Sequence, residues 1–182
     1  MSFAFATIIQ MKKMLGNLDK WLEASLSHAK EKSIEPDVLL NCRLIADMFP
    51  LVRQVQSACD AAKFAAAYLA GREAPQHPDT EQTMLEARAR IHTCVEYLNT
   101  LNAADFEGAD SRYVTLKFMP DKEIVGRDYL IELAIPNFYF HITTAYDILR
   151  HNGVDVGKRD YIGSLNWRDR GPQATVTNAS VH

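Results

Sequence analysis

Apolar residues recur along most of this chain at alternating intervals of three and four, the mark of helices that each turn one stripe toward a shared core. The first stripe is Ile8, Met11, Leu15, Leu18, Leu22 and Leu26, and it predicts a helix over residues 5–30. Ser33 to Glu35 and then Pro36 break it, and Val38 to Ala46 form an apolar connector. Asp47-Met48-Phe49-Pro50 reads as the next helix start. Aspartate caps a first turn, and proline there gives up only donors that lack partners. The second helix runs to about Ala70 with Gly71 as its stop. Its inner face is Leu51, Val55, Ala58, Ala62, Ala65 and Leu69, and so many alanines let a neighbouring helix approach closely. A loop with Pro75 and Pro78 follows, and Asp79 with Gln82 forms a plausible capping pair for the third helix. The third stripe is Met84, Ala87, Ile91, Cys94, Leu98 and Leu101.

The period then changes to two. Val114, Leu116 and Phe118 alternate with Thr115 and Lys117, a strand pattern. Pro120-Asp121 is a turn signal, and Ile124 and Val125 return as a second short strand. Such a hairpin is marginal alone and must lie on the helices. The fourth helix is predicted over residues 127–151. One stripe is Ile131, Ile135, Phe138, Ile142, Ala145 and Leu149, and a flanking one is Leu130, Ala134, Asn137, His141, Ala145 and Ile148. Two stripes imply a helix covered on most of its circumference. Arg150 and His151 suit the last turn. Asn152-Gly153 supplies the left-handed stop, with Val154 packing back. Pro136 removes a backbone donor well inside this helix, which predicts a kink or a later start. Val156, Tyr161, Ile162, Leu165 and Trp167 should pack along the bundle. From Asp169 onward the residues are small and polar, so residues 1–168 read as the folded domain and 169–182 as a flexible tail. The fold class is all-α: a four-helix bundle with a small β-hairpin before the last helix.

Composition narrows the function classes. A chain of 182 residues with 47% hydrophobic content sustains one buried core. The formal net charge is −3 and no basic cluster occurs, which argues against a nucleic-acid surface. No apolar run approaches the ~20 residues of a membrane span. The opening MSFAFATIIQMKK is apolar first and basic second, the reverse of a secretory signal. Cys42, Cys59 and Cys94 are odd in number and widely spaced, as expected of reduced core cysteines in a cytoplasmic protein. Asp60 and Lys63 read as a three-spaced surface ion pair on the second helix.

Bundles often hold metals between facing side chains. Here no histidine follows a glutamate by three, no two histidines are four apart, and no Cys-x-x-Cys occurs. Each motif is a spacing fixed by geometry. His141 stands on an apolar face, either as a hydrogen-bonded core histidine or as a site residue. Gln54 lies two turns on from Asp47, so both point the same way toward it.

The stretch Phe140-His141-Ile142-Thr143-Thr144-Ala145-Tyr146-Asp147-Ile148-Leu149-Arg150-His151-Asn152-Gly153-Val154-Asp155-Val156-Gly157-Lys158-Arg159-Asp160-Tyr161 resembles the signature of a domain-of-unknown-function branch of the DinB-like bundle proteins. Asp47-Met48-Phe49-Pro50-Leu51, Gln54 and Ala58-Cys59-Asp60-Ala61-Ala62-Lys63 resemble the same branch. The resemblance implies a DinB-like four-helix bundle, often a homodimer, with relatives that are metal-dependent thiol transferases. Their metal is held by a histidine on the second helix and a His-x-x-x-His pair on the last. Here the positions four away from His141 are Asn137 and Ala145, and residues 48–70 contain no histidine. The expected function is therefore binding of a small-molecule ligand between helices two and four, at His141, Gln54, Asp47 and Asn137, with no cofactor and no metal triad. A divalent-metal-dependent transferase and a dimeric interaction module are the alternatives. The expected partners are a second copy of the chain and a small molecule, not nucleic acid or membrane.

Overall fold

The computed structural model describes residues 2–171. Within them four long helices carry the core: α1 (Phe3–Lys32), α2 (Leu51–Ala70), α3 (Met84–Asn99) and α4 (residues 126–151). An antiparallel hairpin, β1 (Tyr113–Leu116) and β2 (Met119–Val125), precedes α4, and a short α5 (Lys158–Ile162) follows it. The architecture is the four-helix bundle with a hairpin that the stripes predict. The expected tail, beyond residue 171, lies outside the described residues.

The central helix is α2, which packs on α1, α3 and α4. Its expected inner face, Leu51 through Leu69, is fully buried, and the alanine side chains keep its neighbours close. The stripes of α1 and α3 are buried as expected, apart from a partly exposed Leu26. Ser2 caps α1 by accepting from the Phe5 N–H at 3.2 Å. The stop falls at Ser33, which takes the left-handed conformation with φ 55° and lets the Ile34 N–H reach the Ala29 carbonyl at 3.0 Å.

Two helix starts differ from expectation. Asp47 does not cap α2; it is exposed in the preceding turn, and Pro50 holds the cap position. The Leu51 N–H donates instead to the carbonyl of Cys42 at 2.9 Å, in the connector after its 3-10 turn Pro36–Asn41. The α3 cap is Thr83, not Asp79. Thr83 Oγ1 accepts from the Glu86 N–H at 3.2 Å, and Glu86 accepts from the Thr83 N–H at 2.9 Å. Asp79 is drawn to Arg53 and Arg90 instead.

The hairpin turns at Lys117-Phe118, and Pro120 lies within β2 rather than at the tip. The ladder runs regularly from Tyr113 opposite Val125 to Thr115 opposite Glu123, then jumps to Leu116 opposite Met119. That irregularity leaves Pro120 where no N–H is needed.

Pro136 also resolves in an unanticipated way. It has no N–H for the Glu132 carbonyl and its ring crowds that group. The backbone passes through a π-helical stretch, Tyr129–Ala134, in which the Ile135 N–H reaches back to the Leu130 carbonyl. The helix is continuous, with Gly126–Asp128 before this stretch and Ile135–His151 after it. The extra residue per turn rotates the upstream part. Ile131, expected inside, is 44% exposed, while Leu130 is buried. The helix ends as expected: Gly153 has φ 86° and the Val154 N–H bonds to the Leu149 carbonyl at 3.1 Å.

The returning segment packs on α1 through Val154, Val156 and α5. Asn17 Nδ2 donates to the Tyr161 carbonyl at 2.9 Å, and Trp21, Tyr146 and Tyr161 form a mutual ring cluster. The packing stops there. Ile162, Leu165 and Trp167, expected against the bundle, are exposed, because the chain leaves α1 at Gly163, which has a positive φ of 67°.

Candidate functional site

A cavity of about 340 Å³ lies between α2 and α4 under the hairpin tip. On α2, Ala61, Phe64 and Tyr68 step by three and four and so share one flank. The π-helical stretch contributes Tyr129, Leu133 and Ala134 to the opposite wall. Pro136 is therefore the local cause of this wall, because the widened turn it forces sets which side chains face α2. Phe64 stacks on Tyr68 with centroids 5.8 Å apart, and Tyr68 meets Tyr129 edge-on at 5.7 Å. Burial pushes the Tyr129 hydroxyl well above the usual phenol range, so it remains a protonated donor.

His141 stands in the same wall and is 8% exposed. Its Nδ1 lies 2.8 Å from Gln54 Oε1. The Gln54 amide is fixed in that sense because its Nε2 donates to the Phe49 carbonyl at 3.1 Å. Its Oε1 must then accept, so His141 Nδ1 carries the proton and donates. Burial, assisted by the charge of Arg53, lowers the imidazole pKa below its ordinary value. The ring is neutral at physiological pH, and its Nε2 is an unprotonated acceptor. A buried histidine with one nitrogen tied back and the other lone pair unspent is a fixed hydrogen-bond acceptor or weak base.

The other site candidates are placed unequally. Gln54 is buried behind His141 and orients it without joining the cavity wall. Asn137 is exposed on the rim, one turn before His141. Asp47 lies apart, exposed ahead of Pro50, and lines no part of the cavity.

The profile of a domain of unknown function, DUF1993, matches residues 4–162. The chain belongs to the DUF1993 family. A solved structure of a DinB family member from Shewanella denitrificans is 46% identical, over 90% of this chain and 93% of that one, with a TM-score of 0.86. No curated protein matches the sequence. The DinB-like bundle implied by the segments around Asp47 and His141 is thus the fold of this DUF1993 chain.

The metal of the DinB-like thiol transferases does not fit these residues. No histidine from α2 faces His141, and its partner positions are an amide, Asn137, and a methyl, Ala145. Among the described residues no group of three or more His, Cys, Asp or Glu is placed to hold an ion. The thiols do not contribute either: Cys94 Sγ donates to the Cys59 carbonyl, and both are buried. The contact with Cys94, with burial, raises the Cys59 pKa far above the thiol range.

The sequence reading missed a charged network beside the cavity of this DUF1993 domain. Asp60 and Lys63 are no surface pair; the Lys63 side chain is 3% exposed. Asp60 Oδ1 accepts from Lys63 Nζ at 2.7 Å and from Arg90 Nη2 of α3 at 2.8 Å. Arg90 Nη1 also donates to the Pro78 carbonyl at 3.0 Å and to Glu81 at 3.2 Å, and Gln56 donates to Glu81 at 2.6 Å. The α2–α3 loop is thereby strapped over both helices. The available signal was Lys63 itself, a cation set among Cys59, Ala62, Ala66 and Ala67 on a helix with little exposed surface.

Proposed function

We propose that this protein binds a small organic molecule in the cavity between α2 and α4, without a resident metal, and that the ligand donates a hydrogen bond to His141 Nε2. One observation carries the reading: a buried, neutral imidazole, held in one tautomer by Gln54, forms part of the wall of an aromatic cavity. The cavity has the general make-up of ligand sites, an apolar lining with few convergent polar groups. The aromatic side chains supply contact area, and the fixed acceptor supplies orientation.

The test is a fragment screen by amide-resolved NMR on the protein and on Ala61→Phe, which puts a ring into the cavity from α2. Fragments carrying an O–H or N–H donor should shift the amides of residues 57–68 and 129–141 in the parent. They should fail to do so in the variant, whose melting temperature should stay within a few degrees of the parent's. Hits that map elsewhere, or that survive Ala61→Phe, would contradict the proposal. One tightly held zinc, nickel or iron per chain, lost on His141→Ala, would contradict its metal-free form.

A further inference from the structure

A second cavity, of about 320 Å³, adjoins the first; the two share Asp60, Phe64 and Lys117 as walls, so the Phe64 ring divides them. The second is bounded by Lys63 and His77. Two ammonium groups converge on the dividing ring: Lys63 Nζ lies 4.7 Å and Lys117 Nζ 5.6 Å from its centroid. The charges around them do not balance. Lys63 and Arg90 share Asp60, Arg90 also meets Glu81, and Arg53 pairs with Asp79. Of the charged residues lining the two cavities, two are cations, Lys63 and Lys117, and one is a carboxylate, Asp60. The excess is Lys117, at the hairpin tip, which has no ion pair among the described residues. Beside it the buried Nδ1 of His77 has no hydrogen-bond partner.

We propose that the ligand of this site is an amphiphilic carboxylic acid. This rests on the cavity being the ligand site. Its apolar or aromatic body lies against Phe64, Tyr68 and Tyr129, a donor on that body meets His141 Nε2, and its carboxylate is drawn to Lys117, with Lys63 and His77 behind. One unbalanced cation matches one negative charge; a phosphate dianion would leave a charge uncompensated next to Asp60. The fixed acceptor at one end and the cation at the other give the site a direction, so both ends of the ligand are specified.

Three probes of one shape separate the possibilities: 4-hydroxyphenylacetate, its neutral amide, and the cation tyramine. Their affinities are read by NMR titration at pH 7 and low salt. The acid is expected to bind about tenfold more tightly than the amide, the scale of one hydrogen bond to a charged group. That preference should shrink as salt is raised, because Lys117 is near solvent. Lys117→Met should bring acid and amide to equal affinity, whereas Lys122→Met, on β2 and outside both cavities, should leave the preference unchanged. Equal binding of acid and amide by the parent, or a preference for tyramine through Asp60, overturns the acid assignment and leaves the cavity reading intact. No binding by any of the three overturns it as well, and the cavity reading then stands or falls on the fragment screen alone.

Discussion

Arg90→Leu should lower the unfolding free energy by about 3 kcal/mol, seen as a melting temperature about 6–12 °C lower for a chain of this length. The guanidinium is 2% exposed and joins three elements: Asp60 on α2, Glu81 and the Pro78 carbonyl in the loop, and α3 itself. Leucine fills most of the volume but takes the Arg90 donor from the Pro78 carbonyl and leaves the Glu81 carboxylate with Gln56 and no cation. Removing one partner of a buried ion pair costs more than the pair was worth, since the remaining charge stays desolvated. The low end of the usual range is appropriate because Asp60 keeps Lys63 and is 31% exposed. Arg90→Lys should recover part of the loss by restoring charge without the fork that reaches both carboxylates. Arg127→Leu is the control: that side chain is 61% exposed and 3.9 Å from Asp110, so its loss should change stability by less than about 0.5 kcal/mol. An Arg90→Leu protein within about 1 kcal/mol of the parent would mean that the network contributes little.

Trp21→Ala should cost about 3–5 kcal/mol, the range for deleting a large buried ring. Trp21 is 1% exposed on α1. It stacks on Tyr161 at 5.5 Å, meets Tyr146 edge-on at 5.6 Å, and its Nε1–H donates to the Asp160 carbonyl at 3.2 Å. One side chain therefore fastens the returning segment to both α1 and α4. The loss should be uneven: amides of residues 154–163 should exchange with solvent faster than those of α2. Trp167→Ala should be nearly neutral, within about 0.5 kcal/mol, because that ring is 85% exposed. Uniform loss of protection would show that Trp21 supports the whole core rather than this segment.

These residues mark where sequence reasoning reached its limit. The helix stripes were legible because the 3.6-residue period repeats over many turns, and the stops at Gly71 and Gly153 were legible because each needs a left-handed residue, whereas at Ser33 only a break was legible. The starts of α2 and α3 were not legible: at α2 a carbonyl from Cys42 takes the place of the expected Asp47 cap, and at α3 the local cap is Thr83 with Glu86 while Asp79 pairs with Arg53. The side chain of Ile131 pointed the wrong way because Pro136 changed the helix period upstream. Asp60 and Lys63 misled because a three-spaced ion pair usually lies on a solvated face, and only the long-range pairing of α2 with α3 through Arg90 reveals its burial.

The candidate site was half legible. His141 on an apolar face pointed to a facing partner, and Gln54 is that partner, 87 residues away in sequence. The aromatic wall was not foreseen. Phe64 and Tyr68 fall off the inner stripe of α2, and Tyr129 lies in the π-helical stretch. Lys117 was read only as the outward position of a strand, whereas the turn at Lys117-Phe118 sets it over the cavity.

The protonation of His141 is the most direct measure of the site. Long-range ¹H–¹⁵N spectra of the ring, with and without a donor fragment bound in the cavity, report both nitrogens separately. At pH 7 the free protein should show a neutral ring with the proton on Nδ1 and an Nε2 resonance in the unprotonated range. Binding should shift Nε2 and leave Nδ1 in place. A charged ring at pH 7, a proton on Nε2, or an Nε2 signal unmoved by a fragment that occupies the cavity would contradict a ligand site at His141.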